Sequence, residues 1–123
     1  FNFYKSVFGG EFTVLQRFNE TPDGSKLSAE LQNQIMHVAL PIAQGYTLMA
    51  TDAPAEMGFS LKQGNNFYIA ISPDSREDAE RLFRGLSEGG KIEMDLQDTF
   101  WGAYYGSFKD KFDIGWMINY MKQ

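Results

Sequence analysis

The stretch that decides the fold of this chain is LFRGLSEGGKI, at residues 82–92. It has two adjacent apolar residues, a third apolar residue one helical turn later, a Gly pair and then an apolar residue. The same pattern occurs in FYKSVFGGEF, at residues 3–12. In both copies the apolar spacing is that of one helix face, and the Gly pair permits the helix to end before a strand begins. The chain therefore contains an internal repeat, which predicts the same order of elements in each half.

In the second half, a helix is predicted over residues 75–87, because apolar residues recur there at the spacing of a single stripe. Ser75 is the predicted N-cap, since Asp78 stands three residues after it as in a capping box with a shorter acid. Aromatic and β-branched runs indicate one strand before this helix and three after it, at residues 66–72, 91–96, 103–108 and 114–121. The second half is thus predicted to be βαβββ.

The first half matches the last four of these elements. A helix end is predicted at residues 3–8, followed by strands at residues 12–18, 35–40 and 46–51. By the symmetry of the repeat, the first strand of this half is expected to be absent, so that the chain is trimmed at its amino end. Polar residues 19–32 are predicted to form a loop over a ligand mouth, and residues 53–65 a linker.

Composition excludes several classes of protein. A chain of 123 residues that is 43% hydrophobic has the size and the apolar content of one globular domain. Its net charge of −5 argues against binding of nucleic acid, which needs a basic surface. Without Cys, thiolate metal sites and disulfides are excluded. No apolar run approaches the roughly 18 residues that span a bilayer. No membrane association is therefore predicted, and a cytoplasmic location is the default expectation.

Five short motifs, taken together and in this order, resemble one protein family. They are FYKSVFGG at residues 3–10, IMH at 35–37, LMATD at 48–52, DTFWG at 98–102, and Asp110 followed by WMINY at 116–120. The chain resembles the vicinal oxygen chelate superfamily, which includes glyoxalase, bleomycin-resistance and dioxygenase proteins. Within it, the motifs look like those of the PhnB-like branch, which is often labelled demethylubiquinone-methyltransferase-like.

This resemblance implies an α+β fold of two βαβββ modules, whose curled mixed sheets surround a cavity. It also implies a homodimer. On this interpretation residues 1–123 form a single domain, with module 1 at residues 1–52, the linker at 53–65 and module 2 at 66–123. On the same interpretation, the first strand of module 1 is the element that is expected to be absent. Two faces are assigned to the cavity: that of Tyr68, Ala70 and Ser72, and that of Gly115, Met117 and Asn119.

Catalytic members of the superfamily hold a divalent ion with His and Glu side chains on the faces that line the cavity. The residues that match these ligand positions are Tyr68, Met117 and Met49. A thioether is a poor ligand for a hard divalent ion, whereas Tyr and Met suit a moderately apolar pocket. The sequence therefore predicts no metal and no cofactor at this site. One further ligand position falls in the strand expected to be absent, which keeps a metal-dependent lyase or dioxygenase open as the alternative, with His37 and Asp52 as its other candidate ligands.

The leading hypothesis is a binding protein for a small, partly apolar molecule, and enzymatic activity is left undecided. A methyltransferase is disfavoured, because the chain has no glycine-rich nucleotide loop between a strand and a helix. Six residues are predicted to line the cavity, namely His37, Met49, Tyr68, Trp101, Met117 and Asn119.

Three side chains near this predicted cavity leave alternatives open. His37 either contacts a ligand or is a half-buried side chain held by a carbonyl or a Tyr, and the second reading is favoured. Glu93 and Asp95 alternate onto one strand face, where an exposed edge is favoured over an acid–base pair. Trp101 fits a pocket wall and a dimer contact equally well.

Overall fold

The computed structural model describes residues 1–22, 24–43 and 45–121. Asp23, within the predicted loop 19–32, lies outside the described residues, as do residue 44 and the last two positions. The fold is α+β, as predicted, with two separate sheets. The chain divides into two compact units, one from Phe1 to Lys62 and the other from Gln63 onward.

The first unit consists of two short helices and a three-stranded antiparallel sheet in the order β1-β2-β3. The residues that the sequence predicts to be a loop, 19–32, instead contain helix α2 and short 3-10 helices. Leu31 of α2 is buried, which attaches this segment to the unit. The elements are α1 (Asn2–Phe8), β1 (Val14–Arg17), α2 (Ala29–Gln32), β2 (Ile35–Ala43) and β3 (Tyr46–Ala50).

The second unit has the predicted βαβββ order. Its four strands are arranged β4-β7-β6-β5, with β4 parallel to β7 and the other pairs antiparallel. The first strand is shorter than the predicted 66–72, because only three of its residues pair with β7. The elements are β4 (Ile69–Ile71), α3 (Arg76–Ser87), β5 (Lys91–Asp98), β6 (Ala103–Lys109) and β7 (Gly115–Met121).

Helix α3 packs its apolar stripe on one face of this sheet. Phe83 of α3 meets Phe108 of β6 edge to face, with ring centroids 5.1 Å apart. Trp116 and Ile118 of β7 lie on the same face and are fully buried. At Gly106 a Cβ atom would lie 2.6 Å from the ring of Phe83, so β6 has no room for a larger residue beneath the helix. This face is the core of the second unit.

The N-terminal end of α3 is fixed by the N-cap that the sequence predicts. The hydroxyl of Ser75 accepts a hydrogen bond from the backbone N–H of Asp78. Arg76 then donates two hydrogen bonds to the carboxylate of Asp98 at the end of β5, at 2.9 and 2.8 Å. Its guanidinium carbon lies 3.8 Å from the ring centroid of Tyr104. A planar cation that binds a carboxylate in bidentate geometry and stacks on an aromatic ring joins the helix to two strands.

The turn between β6 and β7 is organised around the buried carboxylate of Asp110. One carboxylate oxygen accepts the backbone N–H groups of Phe112 and Ile114, at 2.8 and 3.0 Å. The other accepts the indole N–H of Trp116 at 2.9 Å. Asp113, in the same turn, has a φ of 66°, which is an uncommon conformation for a residue other than Gly. One carboxylate therefore fixes both the turn and the largest side chain of the core.

Candidate functional site

The candidate site of the second unit is the sheet face that points away from α3, which we call the open face. Residues that are paired directly across two strands point to the same face of the sheet. The strand pairing therefore identifies which side chains lie on the face opposite to the one that packs on α3. The prediction that Gly115, Met117 and Asn119 lie opposite Trp116 and Ile118 agrees with this pairing. The open face contains Tyr68, Ala70, Tyr105, Ser107, Lys109, Met117 and Asn119.

These side chains form three rows across the strands. Lys109 pairs with Gly115 in the first row, and Ser107, Met117 and Ala70 pair in the second. Tyr105 and Asn119 pair in the third. Two residues along a strand separate successive rows, which corresponds to about 7 Å. The face therefore changes from charged to largely apolar to polar–aromatic over a distance of about 13 Å, which is the length of a small organic molecule.

The aromatic ring of Tyr68 lies across the first row of the open face. At Gly115 a Cβ atom would lie 2.7 Å from the ring, so the absence of a side chain there makes room for it. The hydroxyl of Tyr68 donates a 2.6 Å hydrogen bond to a carboxylate oxygen of Glu93 on β5. The ammonium nitrogen of Lys109 lies 4.5 Å from the ring centroid. A phenol, a carboxylate and an ammonium group thus share one edge of the face.

Glu93 and Asp95 do not lie on one face, contrary to the prediction from strand alternation. Glu93 binds Tyr68 of the open face, whereas Asp95 lines a cavity beside α3. The reason is that the pairing of β5 with β6 shifts register on both sides of Met94. Such bulges re-aim side chains and break the strict alternation of a strand. The acid–base pair considered from the sequence is therefore not formed, although Glu93 itself reaches the candidate site.

Two tyrosines of the second unit have a raised pKa. The hydrogen bond with Glu93 and then burial raise the pKa of Tyr68 above 10.0. Burial and then the hydrogen bond with Glu80 raise the pKa of Tyr104 above 10.0. Unfolded tyrosines lose their protons first as the pH rises through 10, so the contribution of both groups to stability is complete below that pH and is lost above it.

We expect phenolate absorbance to contain late-titrating components from Tyr68 and Tyr104, since the pKa of each is raised. The Tyr68→Phe variant should lack one of these late components, and Tyr104→Phe the other. Tyr46 is largely exposed and takes part in neither hydrogen bond, so Tyr46→Phe is the control that should leave both late components in place. A late component that survives both test substitutions would contradict the assigned hydrogen bonds.

The other residues predicted for the second unit lie in the second row, in the third row, and beside the third row. Met117 is half-buried in the centre of the face, and Asn119 is half-buried one row further on. Trp101 lies in the turn after β5, where its ring is 6.1 Å from that of Tyr105 and 5.0 Å from that of Phe100. The structure thus brings Tyr68, Met117 and Asn119 onto one face, with Trp101 at its end.

His37 and Met49 belong to the first unit. Ala39 of β2 pairs with Met49 of β3, and His37 stands two residues before Ala39, so both predicted residues share one face of that sheet. Met49 is exposed and His37 is half-buried. The favoured interpretation of His37 requires a hydrogen bond from its imidazole to a backbone carbonyl or a Tyr. Within the described residues, the imidazole makes no such hydrogen bond.

The donor set does not fit the divalent ion that the family resemblance implies. The position of the first expected ligand is Tyr68, whose hydroxyl is engaged with Glu93, and those of the others are the thioethers Met117 and Met49. Among residues 1–22, 24–43 and 45–121, no group of three His, Asp or Glu side chains is placed to hold a metal ion. Hard cations prefer oxygen ligands that carry charge.

Each unit also has a cavity on the helix side of its sheet, which sequence reasoning missed. The cavity of the second unit measures about 310 Å³ and lies between α3 and β5, with Glu80, Phe83, Arg84 and Asp95 among its lining residues. That of the first unit measures about 320 Å³ and lies beside β1, β2 and β3. Neither contains a residue from the predicted set, and the register shift in β5 gave no signal in the sequence.

No helix within the described part of the chain is long and apolar enough to cross a membrane.

Comparison with known proteins identifies relatives that match nearly the whole chain. The chain is 33% identical to protein YjdN of Escherichia coli, over 98% of this chain and 85% of that protein. The crystal structure of protein PA1353 from Pseudomonas aeruginosa matches with a TM-score of 0.82 at 32% identity, over 99% of this chain and 86% of that one.

The PhnB protein from Bacillus cereus has the same fold, with a TM-score of 0.71 at 20% identity, over 97% of this chain and 86% of that one. The model of the Glyoxalase/Bleomycin resistance protein/Dioxygenase superfamily matches residues 1–118. With nearly the whole chain matched and the predicted βαβββ order present in the second unit, this protein belongs to the glyoxalase/bleomycin resistance protein/dioxygenase superfamily.

Proposed function

We propose that this protein binds a small, partly apolar molecule through the cavity residues predicted from the sequence, without a metal ion. The observation that supports this proposal is the row structure of the open face, in which Met117 and Ala70 form an apolar centre between two polar rows. Ligand sites combine apolar lining with a few placed polar groups, and this face has both. His37 and Met49, which share a face of the first unit, are proposed to contribute to the same binding function.

The chemistry of the face favours binding over turnover. Tyr68 holds its proton against the carboxylate of Glu93, and its raised pKa makes it a hydrogen-bond donor rather than a base at neutral pH. Met117 and Asn119 do not titrate. These three predicted residues therefore orient a ligand rather than exchange a proton with it, and we propose sequestration of the bound molecule as the role.

Methionine methyl groups provide a direct test, because they lie both on and off the proposed site. We expect isotope-labelled methyl signals of Met117 and Met49 to shift when a library of small aromatic and aliphatic molecules is added. Met36, on the opposite face of β2 from His37, and Met57, in a 3-10 helix, are internal controls that should stay unchanged. A library in which no compound moves Met117 or Met49 would overturn the proposal.

The same signals test the alternative, a metal-dependent lyase or dioxygenase. Addition of a paramagnetic divalent ion such as Mn²⁺ broadens the signals of nuclei close to a bound metal. We expect no selective broadening of Met49 or Met117 at stoichiometric metal. Selective broadening that the His37→Ala variant abolishes would instead favour the metal-dependent enzyme.

We further propose that the protein is a homodimer, and that Phe100 in the β5–β6 turn contributes to the contact. Phe100 is 98% exposed, and large exposed aromatic side chains are enriched at protein interfaces. In sedimentation analysis we expect a dimer, which Phe100→Ala weakens at least about tenfold. The control Phe59→Ala removes another exposed Phe and should leave association unchanged. A wild-type monomer at micromolar concentration would contradict this proposal.

A further inference from the structure

Asn119 has an unsatisfied hydrogen-bond acceptor. Within the described residues, its side-chain oxygen Oδ1 is the one buried side-chain nitrogen or oxygen atom that has no hydrogen-bond partner. A buried acceptor without a donor costs about 1–3 kcal/mol, so native structures contain few of them. The position of this atom in the fold therefore indicates where a donor from outside the chain would bind.

The residues around Asn119 restrict the chemical class of the molecule that could carry this donor. Tyr105 is its cross-strand neighbour, and the ring of Trp101 lies 6.1 Å from that of Tyr105. Met117 occupies the next row on the same strand face. The side chain of Asn119 is half-buried, and rotation about its Cβ–Cγ bond is soft, so Oδ1 can turn toward the open side of the face. The neighbours of Asn119 on this face are thus an aromatic residue and a thioether, with a second aromatic ring beside the first.

We propose that the open face selects ligands in which an O–H or N–H donor is attached to an aromatic or similarly apolar body. The donor binds Oδ1 of Asn119, and the body lies over Met117 and against the rings of Tyr105 and Trp101. This inference rests on the proposed binding function and adds the chemical class of the ligand. Only a donor satisfies an amide oxygen, whereas an analogue with a methyl group in place of the hydrogen leaves it unpaired.

Two matched pairs of probes test this selection, namely phenol with anisole, and indole with N-methylindole. In each pair the second compound keeps the aromatic body and lacks the donor. The methyl signal of Met117 reports binding at the correct row. We expect the donor compound of each pair to bind about tenfold more tightly, as one additional hydrogen bond in a partly buried site predicts.

The variant Asn119→Leu separates hydrogen bonding from the steric effect of the added methyl group. We expect it to bind both members of a pair with similar affinity, whereas Asn119→Asp, which retains the acceptor oxygens, should keep the preference. Equal affinity in the wild type, or a preference that persists in Asn119→Leu, overturns the inference and leaves the proposed function standing. If Met117 responds to other compounds but to none of these four, the inference is also wrong. If it responds to no compound in the library, the binding function at this face fails as well.

Stability without ligand provides a second, independent readout. Because Leu has the same number of side-chain heavy atoms as Asn, with the same branching at Cγ, and has no unsatisfied acceptor, Asn119→Leu is expected to unfold at the same or a higher urea concentration than the wild type. The variant thus remains folded for the binding experiments. A clear loss of stability would mean that the amide has partners within the protein, and would overturn the inference.

Discussion

Replacing Asp110 with Ala is expected to lower the free energy of unfolding by about 3–5 kcal/mol. The substitution removes three hydrogen bonds at once, two from backbone N–H groups of the turn and one from the indole of Trp116. Since Trp116 is fully buried, its N–H group then has no access to water. Removing one partner of a buried polar contact costs more than the contact contributes, because the remaining group stays desolvated. Urea unfolding followed by circular dichroism measures this loss.

Two further variants show whether the indole contact carries a share of that loss. In the Trp116→Phe background no indole N–H remains, so Asp110→Ala should cost less than in the wild type, and the double-mutant cycle gives the coupling. Asp113→Gly changes the same turn without touching the carboxylate network, and it relieves the φ of 66°. We expect it to be neutral or stabilising. Equal losses for Asp110→Ala in both backgrounds would contradict the role assigned to Trp116.

Replacing Gly90 with Ala is expected to destabilise the second unit by about 3 kcal/mol. A Cβ atom at this position would fall on the backbone carbonyl oxygen of Lys109, and it would lie 2.8 Å from the carbonyl carbon of Asp110. Backbone atoms of a paired strand cannot move aside as a flexible side chain does, so β5 must shift away from β6 at its first residue pair. Thermal unfolding measures the effect.

Gly64→Ala is the matched control for this experiment. Its new Cβ atom would meet only the side-chain oxygen of Asn66, at 3.4 Å, which is close to ordinary contact. We therefore expect a change of less than about 0.5 kcal/mol, as for most surface substitutions. If Gly90→Ala were as stable as Gly64→Ala, the close approach of the two backbones at residue 90 would be wrong.

The glycine pairs show what a repeated pattern predicts and what it leaves out. The sequence predicts that both pairs end a helix, and Gly9, Gly10 and Gly89 do have positive φ angles, near 78°. Gly90 differs, since it is required by the neighbouring strand rather than by its own backbone conformation. A sequence pattern identifies a helix end from local residues alone. The contact with Lys109 and Asp110, nearly twenty positions later, follows only from the strand pairing.

For the open face, too, the sequence predicts some features and misses others. Alternation along β7 predicted that Met117 and Asn119 share a face, because a regular strand exposes every second side chain to the same side. For Glu93 the sequence favours an exposed edge, and it does not predict the hydrogen bond with Tyr68. That contact depends on the irregular pairing around Met94 and on the space above Gly115. Bulges have no clear composition, so single-sequence reasoning missed them here, as it missed the helical turns within residues 19–32.

The contrast between the two indoles of this chain makes its intrinsic fluorescence unusually informative. Trp116 is fully buried in the core, so its fluorescence emission should be blue-shifted and should resist quenching by acrylamide. We expect this emission to change only when the second unit unfolds. Trp101 is half exposed beside Tyr105, where a soluble quencher reaches it and where a docked aromatic compound would alter its environment. A single emission spectrum can therefore report unfolding and occupancy through separate chromophores, without any attached label.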